Sequence, residues 1–292
     1  MNTLIIRTGG VGDCILTLPV LSFLQQSYPE AELHVLGNPT MNEVVRLSGM
    51  ASTYRSIDGA GFAALFSNRS VTDFLRDYFQ RYDNVLFFTA HDRSEAERTV
   101  LDAGADECRA LDPRPPKGYR GHISVHLLSI LGEYSGTPPV LPVASPAGGI
   151  SRVPGRLAIH PGSGGLAKIW PLDRFLDIAA RWRGETIFII GPAERERGMA
   201  DRIPGDFRVF NGDTLAGTFD MLASAGRYLG CDSGVSHLAA LARTPSTVLF
   251  GPTDPKVWRP LGDDVTVIAS PDGTMEGIAP DTVMTSLTRS RT

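Results

Sequence analysis

The chain has 292 residues, enough for two domains that each bury a core of their own. With 42% hydrophobic and 21% charged residues, it is neither a disordered tail nor a coiled coil. Split at residue 150, the charges are 12 Lys+Arg against 16 Asp+Glu before it (net −4) and 16 against 16 after it (net 0), so neither half can hold nucleic acid by bulk electrostatics and any anionic ligand must be gripped by local groups.

Leu4–Arg7 reads as a buried strand, Gly9–Asp13 as a tight glycine loop, and Ile15–Tyr28 as a helix with Pro19 in its first turns. The alternation continues through strand Glu32–Leu36, helix Met41–Leu47, strand Thr53–Ile57, helical segments across Phe62–Phe79 and strand Asn84–Phe88. Strands that alternate with helices predict a parallel, doubly wound sheet. The start runs straight into an apolar strand without the basic region and cleavage site of a secretory signal, and the most apolar run, Cys14–Leu24, is too short to cross a bilayer. Cys14, Cys108 and Cys231 form no CxxC pair, so neither a disulfide framework nor a zinc site is indicated. A cytoplasmic location is expected.

Between Gly136 and Gly155 stand Pro138, Pro139, Pro142, Pro146 and Pro154 beside Gly148 and Gly149, a composition that reads as a linker. The expected domains are therefore 1–145 and 146–292. A second α/β series follows: strand Arg156–His160, helix Leu172–Arg183, strand Glu185–Ile190, helix Ala193–Arg202, strand Phe207–Phe210, helix Leu215–Ala225, strand Tyr228–Gly230, helix Val235–Ala242 and strand Thr247–Phe250. Pro280 starts a final amphipathic helix to about Thr288, a candidate to pack back on the N-terminal domain.

Four strand-end loops carry the chemistry. His160-Pro161-Gly162-Ser163-Gly164-Gly165 leaves a strand and reaches Lys168-Ile169-Trp170-Pro171 before the next helix. Its glycines let amides approach an anion, Ser163 adds a hydroxyl, and Lys168, one of three lysines, adds a point charge; the same loop reads equally as a plain strand-to-helix turn. In Gly230-Cys231-Asp232-Ser233-Gly234-Val235-Ser236-His237, Ser233 and Gly234 would offer helix N-terminal amides to phosphates, and Asp232 would point into the crevice; as alternatives, both Asp232 and Ser233 cap the helix and His237 is a packed histidine. No HxxxD or CxxC pattern points to a metal. In Gly251-Pro252-Thr253-Asp254-Pro255, Thr253 is a candidate phosphate donor and Asp254 holds the turn. In the N-terminal half, Gly9, Gly10 and Gly12 lead to Asp13, a carboxylate that would repel a diphosphate and suits removal of a proton from a neutral hydroxyl, when it is not simply a helix cap.

Together these elements resemble glycosyltransferase family 9, the lipopolysaccharide heptosyltransferases: Gly12-Asp13 with Leu16-Thr17-Leu18-Pro19, His160-Pro161-Gly162 with Lys168-Ile169-Trp170-Pro171, Asp232-Ser233-Gly234-Val235-Ser236-His237, and Gly251-Pro252-Thr253-Asp254-Pro255. The resemblance implies a GT-B fold, two Rossmann-like α/β domains facing across a cleft, with the acceptor bound mainly by the first and the donor by the second. Asp13 matches the family's base and Lys168 its phosphate-binding lysine. Ser163 and Gly164 fall in the phosphate loop, Asp232 at the sugar-hydroxyl acceptor, Ser233, Gly234 and His237 in the diphosphate loop, and Glu194, after Gly191-Pro192-Ala193, at the acid that meets the ribose. The residues 93–117 carry no family pattern.

The resulting expectation is an inverting, metal-independent transfer of a sugar, heptose from ADP-heptose by family, to a glycolipid or saccharide hydroxyl, with no cofactor, no nucleic-acid partner and a peripheral contact with the inner membrane surface. Two alternatives stand beside it: a nucleotide-sugar epimerase or hydrolase that consumes donor without acceptor, and a nucleotide-sugar-binding protein that catalyses nothing.

Overall fold

Runs of apolar residues without polar alternation belong in strands covered on both faces, and Thr186–Ile190 and Ser246–Phe250 are buried at every position. In the computed structural model of the chain, residues 1–66, 71–132, 134, 136, 139–142, 144 and 149–289 are described. The chain divides into two compact units, Met1–Pro142 and Val143–Thr292. Of the proline-rich stretch read as a linker, Pro138, Pro146 and Gly148 lie outside the described residues.

The first unit runs β1 (Asn2–Arg7), α1 (Val11–Ser27), β2 (Glu32–Gly37), α2 (Pro39–Ser48), β3 (Thr53–Ser56), a 3₁₀ segment (Ala60–Phe66), α3 (Asp73–Phe79), β4 (Asn84–Phe88), α4 (Arg93–Asp102), β5 (Glu107–Leu111) and α5 (Ile123–Ser129). Its five strands pair in parallel in the order β3-β2-β1-β4-β5. Leu4 and Ile6 of β1 enter a core with Phe62, Leu75, Phe79, Phe87 and Val100. α1 begins four residues before the position expected from sequence, so Gly12 and Asp13 belong to its first turn and not to a loop. Pro19 lies well inside this helix, where it removes only the amide that would have met the Ile15 carbonyl. The residues 93–117, without a recognisable pattern in sequence, supply α4 and β5.

The second unit runs β6 (Val153–His160), a 3₁₀ turn (Leu166–Lys168), α6 (Leu172–Arg181), β7 (Thr186–Ile190), α7 (Pro192–Glu196), a 3₁₀ turn (Ala200–Arg202), β8 (Arg208–Asn211), α8 (Leu215–Ser224), β9 (Ala225–Cys231), α9 (Gly234–Leu241), β10 (Ser246–Phe250), α10 (Pro255–Trp258), β11 (Val265–Ala269) and α11 (Pro280–Thr288). Six parallel strands follow the order β11-β10-β9-β6-β7-β8. The helix expected over Ala193–Arg202 is broken, because Gly198 takes a left-handed φ of 64° and ends α7. The strand expected from Arg156 starts at Val153 and absorbs Pro154 and Gly155. α11 is an element of this unit, packed on α6 and β10 with Val283 and Leu287 in the core and Asp281 paired to Arg181. Among the described residues no helix is long and apolar enough to cross a membrane.

Both sheets reverse their strand order once, between β1 and β4 and between β6 and β9. Ligands of such sheets bind outside the carboxyl ends of the strands at that point of reversal. In the second unit the β6–β9 pairing is tight enough that a Cβ on Gly226 would overlap the Pro154 carbonyl. Overpacking against backbone has no flexible side chain to absorb it, so Gly226→Ala is expected to lower stability by about 1–3 kcal/mol, read as a lower urea midpoint at unchanged slope.

Candidate functional site

β6 ends at His160 and β9 at Cys231, side by side at the reversal of the second sheet, with β10 next to β9. The loops that leave these three strands converge on Asp232. Ser163 Oγ donates to the Asp232 carbonyl at 2.8 Å. Lys168 Nζ and Thr253 Oγ1 both donate to Asp232 Oδ2, at 2.8 and 2.7 Å. The Asp232 amide donates in turn to the Leu249 carbonyl at 2.9 Å. Asp232 is only 7% exposed, and a carboxylate this deep needs such partners to offset the loss of water. The Lys168 side chain keeps about a third of its surface, so its ammonium reaches solvent from one side.

Trp170, two residues on, explains how a lysine on a glycine-rich loop is held still. Its indole is fully buried and meets Phe175 edge-on at 4.9 Å; its Nε1 donates to the Ile278 carbonyl at 3.1 Å and its amide to Cys231 Sγ at 3.3 Å. The short turn Leu166–Lys168 is thus anchored to the core on its C-terminal side.

Beneath the glycine loop lies a buried acid–imidazole pair. His160 Nδ1 lies 3.1 Å from the Ile189 carbonyl, which can only accept, so Nδ1 carries the hydrogen. Burial pulls the imidazole below its ordinary value, opposed by the nearby Glu194 carboxylate. Glu194 is itself buried, with Oε2 accepting the Gly191 amide at 3.0 Å. It packs so closely on Gly162 that a Cβ there would overlap the carboxylate, which explains the glycine. Arg197 Nη1 donates to the Ser163 carbonyl at 2.9 Å and fastens the loop from the α7 side.

Three of the residues singled out in the sequence, Ser163, Asp232 and Thr253, are already hydrogen-bonded to one another. Ser163 and Thr253 were expected to offer hydroxyl protons to a diphosphate, but each has one proton and gives it to Asp232. Asp232, which by the resemblance accepts a sugar hydroxyl, has its Oδ2 engaged by Lys168 and Thr253. Gly164 is exposed with open space where a side chain would stand. Ser233 is the N-cap of α9, which begins at Gly234, so first-turn amides face outward at the carboxyl end of the sheet. His237 is buried, one turn into α9. Asp254 caps α10 by accepting the Lys256 amide at 2.8 Å. Sequence reasoning missed His160, Gly162 and Arg197; the His-Pro-Gly spacing carried the first two, whereas Arg197 had no local signal.

In the first unit, Gly9, at φ 154°, and Gly10 lead into α1, whose first turn carries Gly12 and Asp13. Asp13 Oδ2 accepts the Gly10 amide at 3.2 Å, the helix-capping contact that sequence had left as an alternative, yet half of the side chain stays exposed. Among the described residues no group of three or more His, Cys, Asp or Glu is placed to hold a metal ion.

The model for glycosyltransferase family 9 (heptosyltransferase) matches residues 149–285. The second unit belongs to glycosyltransferase family 9. This family 9 domain contains Ser163, Lys168, Glu194, Asp232 and Thr253 together, while Asp13 lies outside the matched stretch. Lipooligosaccharide heptosyltransferase 2 of Haemophilus influenzae is 30% identical over 119 residues, 37% of this chain and 34% of that protein. The chain thus spans about a third of the length of the curated relatives it matches. Two solved structures are similar over nearly the whole chain: the family 9 glycosyltransferase of Veillonella parvula (TM-score 0.76, 16% identity, 98% of this chain and 95% of that one) and the E. coli ADP-heptose lipopolysaccharide heptosyltransferase II (TM-score 0.76, 20% identity, 98% and 97%). The fold of the chain, with its two parallel-sheet α/β units, is of the GT-B class.

Two measurements check this account of the family 9 domain. Trp170→Ala leaves a large cavity and removes one of the two donors to the Ile278 carbonyl, the other being Arg174 Nη1 at 2.8 Å, with an expected loss of about 3–5 kcal/mol in denaturant unfolding. His160 is neutral in the folded domain, whereas the unfolded chain takes up a proton below about pH 6.5. Stability contributed by the neutral imidazole is therefore full above that pH and falls as pH drops below it, so the urea midpoint declines more steeply from pH 7 to 5 in the native protein than in His160→Gln.

Proposed function

We propose that the chain is a glycosyltransferase that moves a sugar, heptose from ADP-heptose, to a hydroxyl of a lipopolysaccharide-type acceptor, by a single inverting displacement without a metal. The observation that carries the reading is the convergence of three strand-end loops of a family 9 domain on the Lys168–Asp232 pair, beside the N-terminus of α9. The name of the E. coli structure, an ADP-heptose heptosyltransferase, supports the choice of donor, and the Haemophilus relative supports a lipooligosaccharide as acceptor.

On this reading the diphosphate lies over the loop around Gly164 and the first turn of α9. Lys168 has three N–H donors and spends one on Asp232, so the others are available to the departing diphosphate oxygens. Backbone amides at Gly164 and Gly234 and the positive end of α9 add fixed dipoles aimed at the same charge. Asp232 then serves mainly to hold Lys168 and Thr253, and its remaining acceptor capacity meets a sugar hydroxyl. Glu194 marks the nucleoside end, with Gly162 at its back. Asp13 takes the proton of the acceptor hydroxyl; the oxygen attacks the anomeric carbon as the bond to the diphosphate breaks, and ADP leaves with the electron pair. The acceptor, a glycolipid, would be met at the cytoplasmic surface of the inner membrane.

Turnover and binding separate this from the alternatives. ADP-heptose with heptose-free lipopolysaccharide is expected to give heptosylated product, and ADP is expected to raise the melting temperature, since a ligand that binds only the folded state stabilises it. Lys168→Ala is expected to lower kcat roughly a hundredfold or more, and also to lower the ligand-free melting temperature because buried Asp232 loses its cation; Asp13→Asn is expected to lower kcat by a similar factor with a ligand-free melting temperature near native. ADP release without acceptor would favour a hydrolase, and ADP binding without any turnover a binding protein.

A further inference from the structure

Arg7 ends β1 at the carboxyl edge of the first sheet, and only 8% of it reaches solvent. A guanidinium carries five N–H donors and is costly to bury, so its surroundings should explain it. Its Nε donates to Thr17 Oγ1 at 3.3 Å, and that hydroxyl donates to the Asp13 carbonyl at 2.8 Å. Its Nη2 faces Asp13 Oδ1 at 4.0 Å. The other Asp13 oxygen accepts the Gly10 amide, and Gly9 passes so close that a Cβ would come within 2.8 Å of the Asp13 Cβ. Burial pulls the guanidinium below its ordinary value, and the opposing influences come from Asp13 and from Cys14.

Capping a helix needs only the contact from Asp13 to Gly10. A buried cation under the second oxygen serves something else. We propose that Arg7 is a positioning residue that, with Thr17, fixes the direction in which Asp13 presents its carboxylate to an acceptor hydroxyl; this rests on the reading of Asp13 as the base. A cation in hydrogen-bond contact would occupy the lone pairs that must take the proton. At 4.0 Å, beyond hydrogen-bond reach, Arg7 orients Oδ1 electrostatically and leaves its lone pairs open, while the Asp13 side chain remains 49% exposed. The Thr17 bridge sets that spacing, because it binds the guanidinium on one side and the Asp13 backbone on the other.

The test uses the full chain with ADP-heptose and heptose-free lipopolysaccharide. Arg7→Met is expected to lower kcat between tenfold and a hundredfold with the donor KM within twofold of native, Arg7→Lys to recover most of the loss, and Thr17→Val to lower kcat severalfold. In an Asp13→Asn background Arg7→Met should cost nothing further. A crystal structure of Arg7→Met or, should that variant not fold, of Thr17→Val reads the proposal without turnover: the Asp13 carboxylate should have left the Gly10 amide or lost its single orientation. An unmoved Asp13 in that structure, an equal kcat loss in the Asp13→Asn background, or native kcat in the folded Arg7→Met protein overturns the positioning role while leaving Asp13 as the base. Native turnover in Asp13→Asn alone overturns the base itself, and Arg7 with it.

Discussion

One aspartate takes bonds from the loops of two other strands: from Ser163 through its carbonyl and from Lys168 through one carboxylate oxygen, both after β6, and from Thr253 after β10 through that same oxygen. Asp232 itself follows β9, between the other two in the sheet. Glycine-rich loops have little intrinsic shape and lose much entropy on ordering. A low-dielectric carboxylate that demands partners supplies the opposing force. With Lys168 neutralising it, the pair carries no net formal charge, and the ammonium is held in place with one side open to solvent.

Preorganisation of this kind depends on layers behind the first contacts. Trp170 fixes the lysine turn from the core, Arg197 fixes the Ser163 carbonyl, and Glu194 sits on the floor left by Gly162. None of these side chains needs to touch a ligand to matter. They determine whether amides and ammonium stand within a few tenths of an ångström of a useful place.

The alternation of apolar runs made the two parallel sheets legible, since a strand covered on both faces has no polar periodicity to confuse it. The family motifs drew attention to the strand ends that the topology does assemble in the second unit. What escaped is instructive. α1 starts early because Asp13 caps the Gly10 amide, a contact whose effect on the helix boundary a propensity reading cannot weigh. α4 and β5 lie in polar sequence, with three of the ten α4 residues buried, so their pattern is faint. α7 stops where Gly198 turns left-handed, though its sequence continues in helical fashion. Ser163 and Thr253 were visible as hydroxyls near an anion site, but which acceptor claims a hydroxyl proton is decided by residues 69 and 21 positions away in the chain. Arg7 had no motif around it that named a role; only its burial beneath Asp13 gave it one.

The separateness of the two hydrophobic cores has a bearing on how such a protein can change over time. Phe62, Phe79 and Phe87 pack within the first unit, and Trp170, Phe175 and Phe188 within the second, so each half can tolerate revision of its own loops without loosening the other's interior. Selection could thus retune the part proposed to meet the receiving saccharide while the part proposed to hold the nucleotide stays untouched, and new linkages could arise by piecemeal drift in one lobe instead of wholesale redesign.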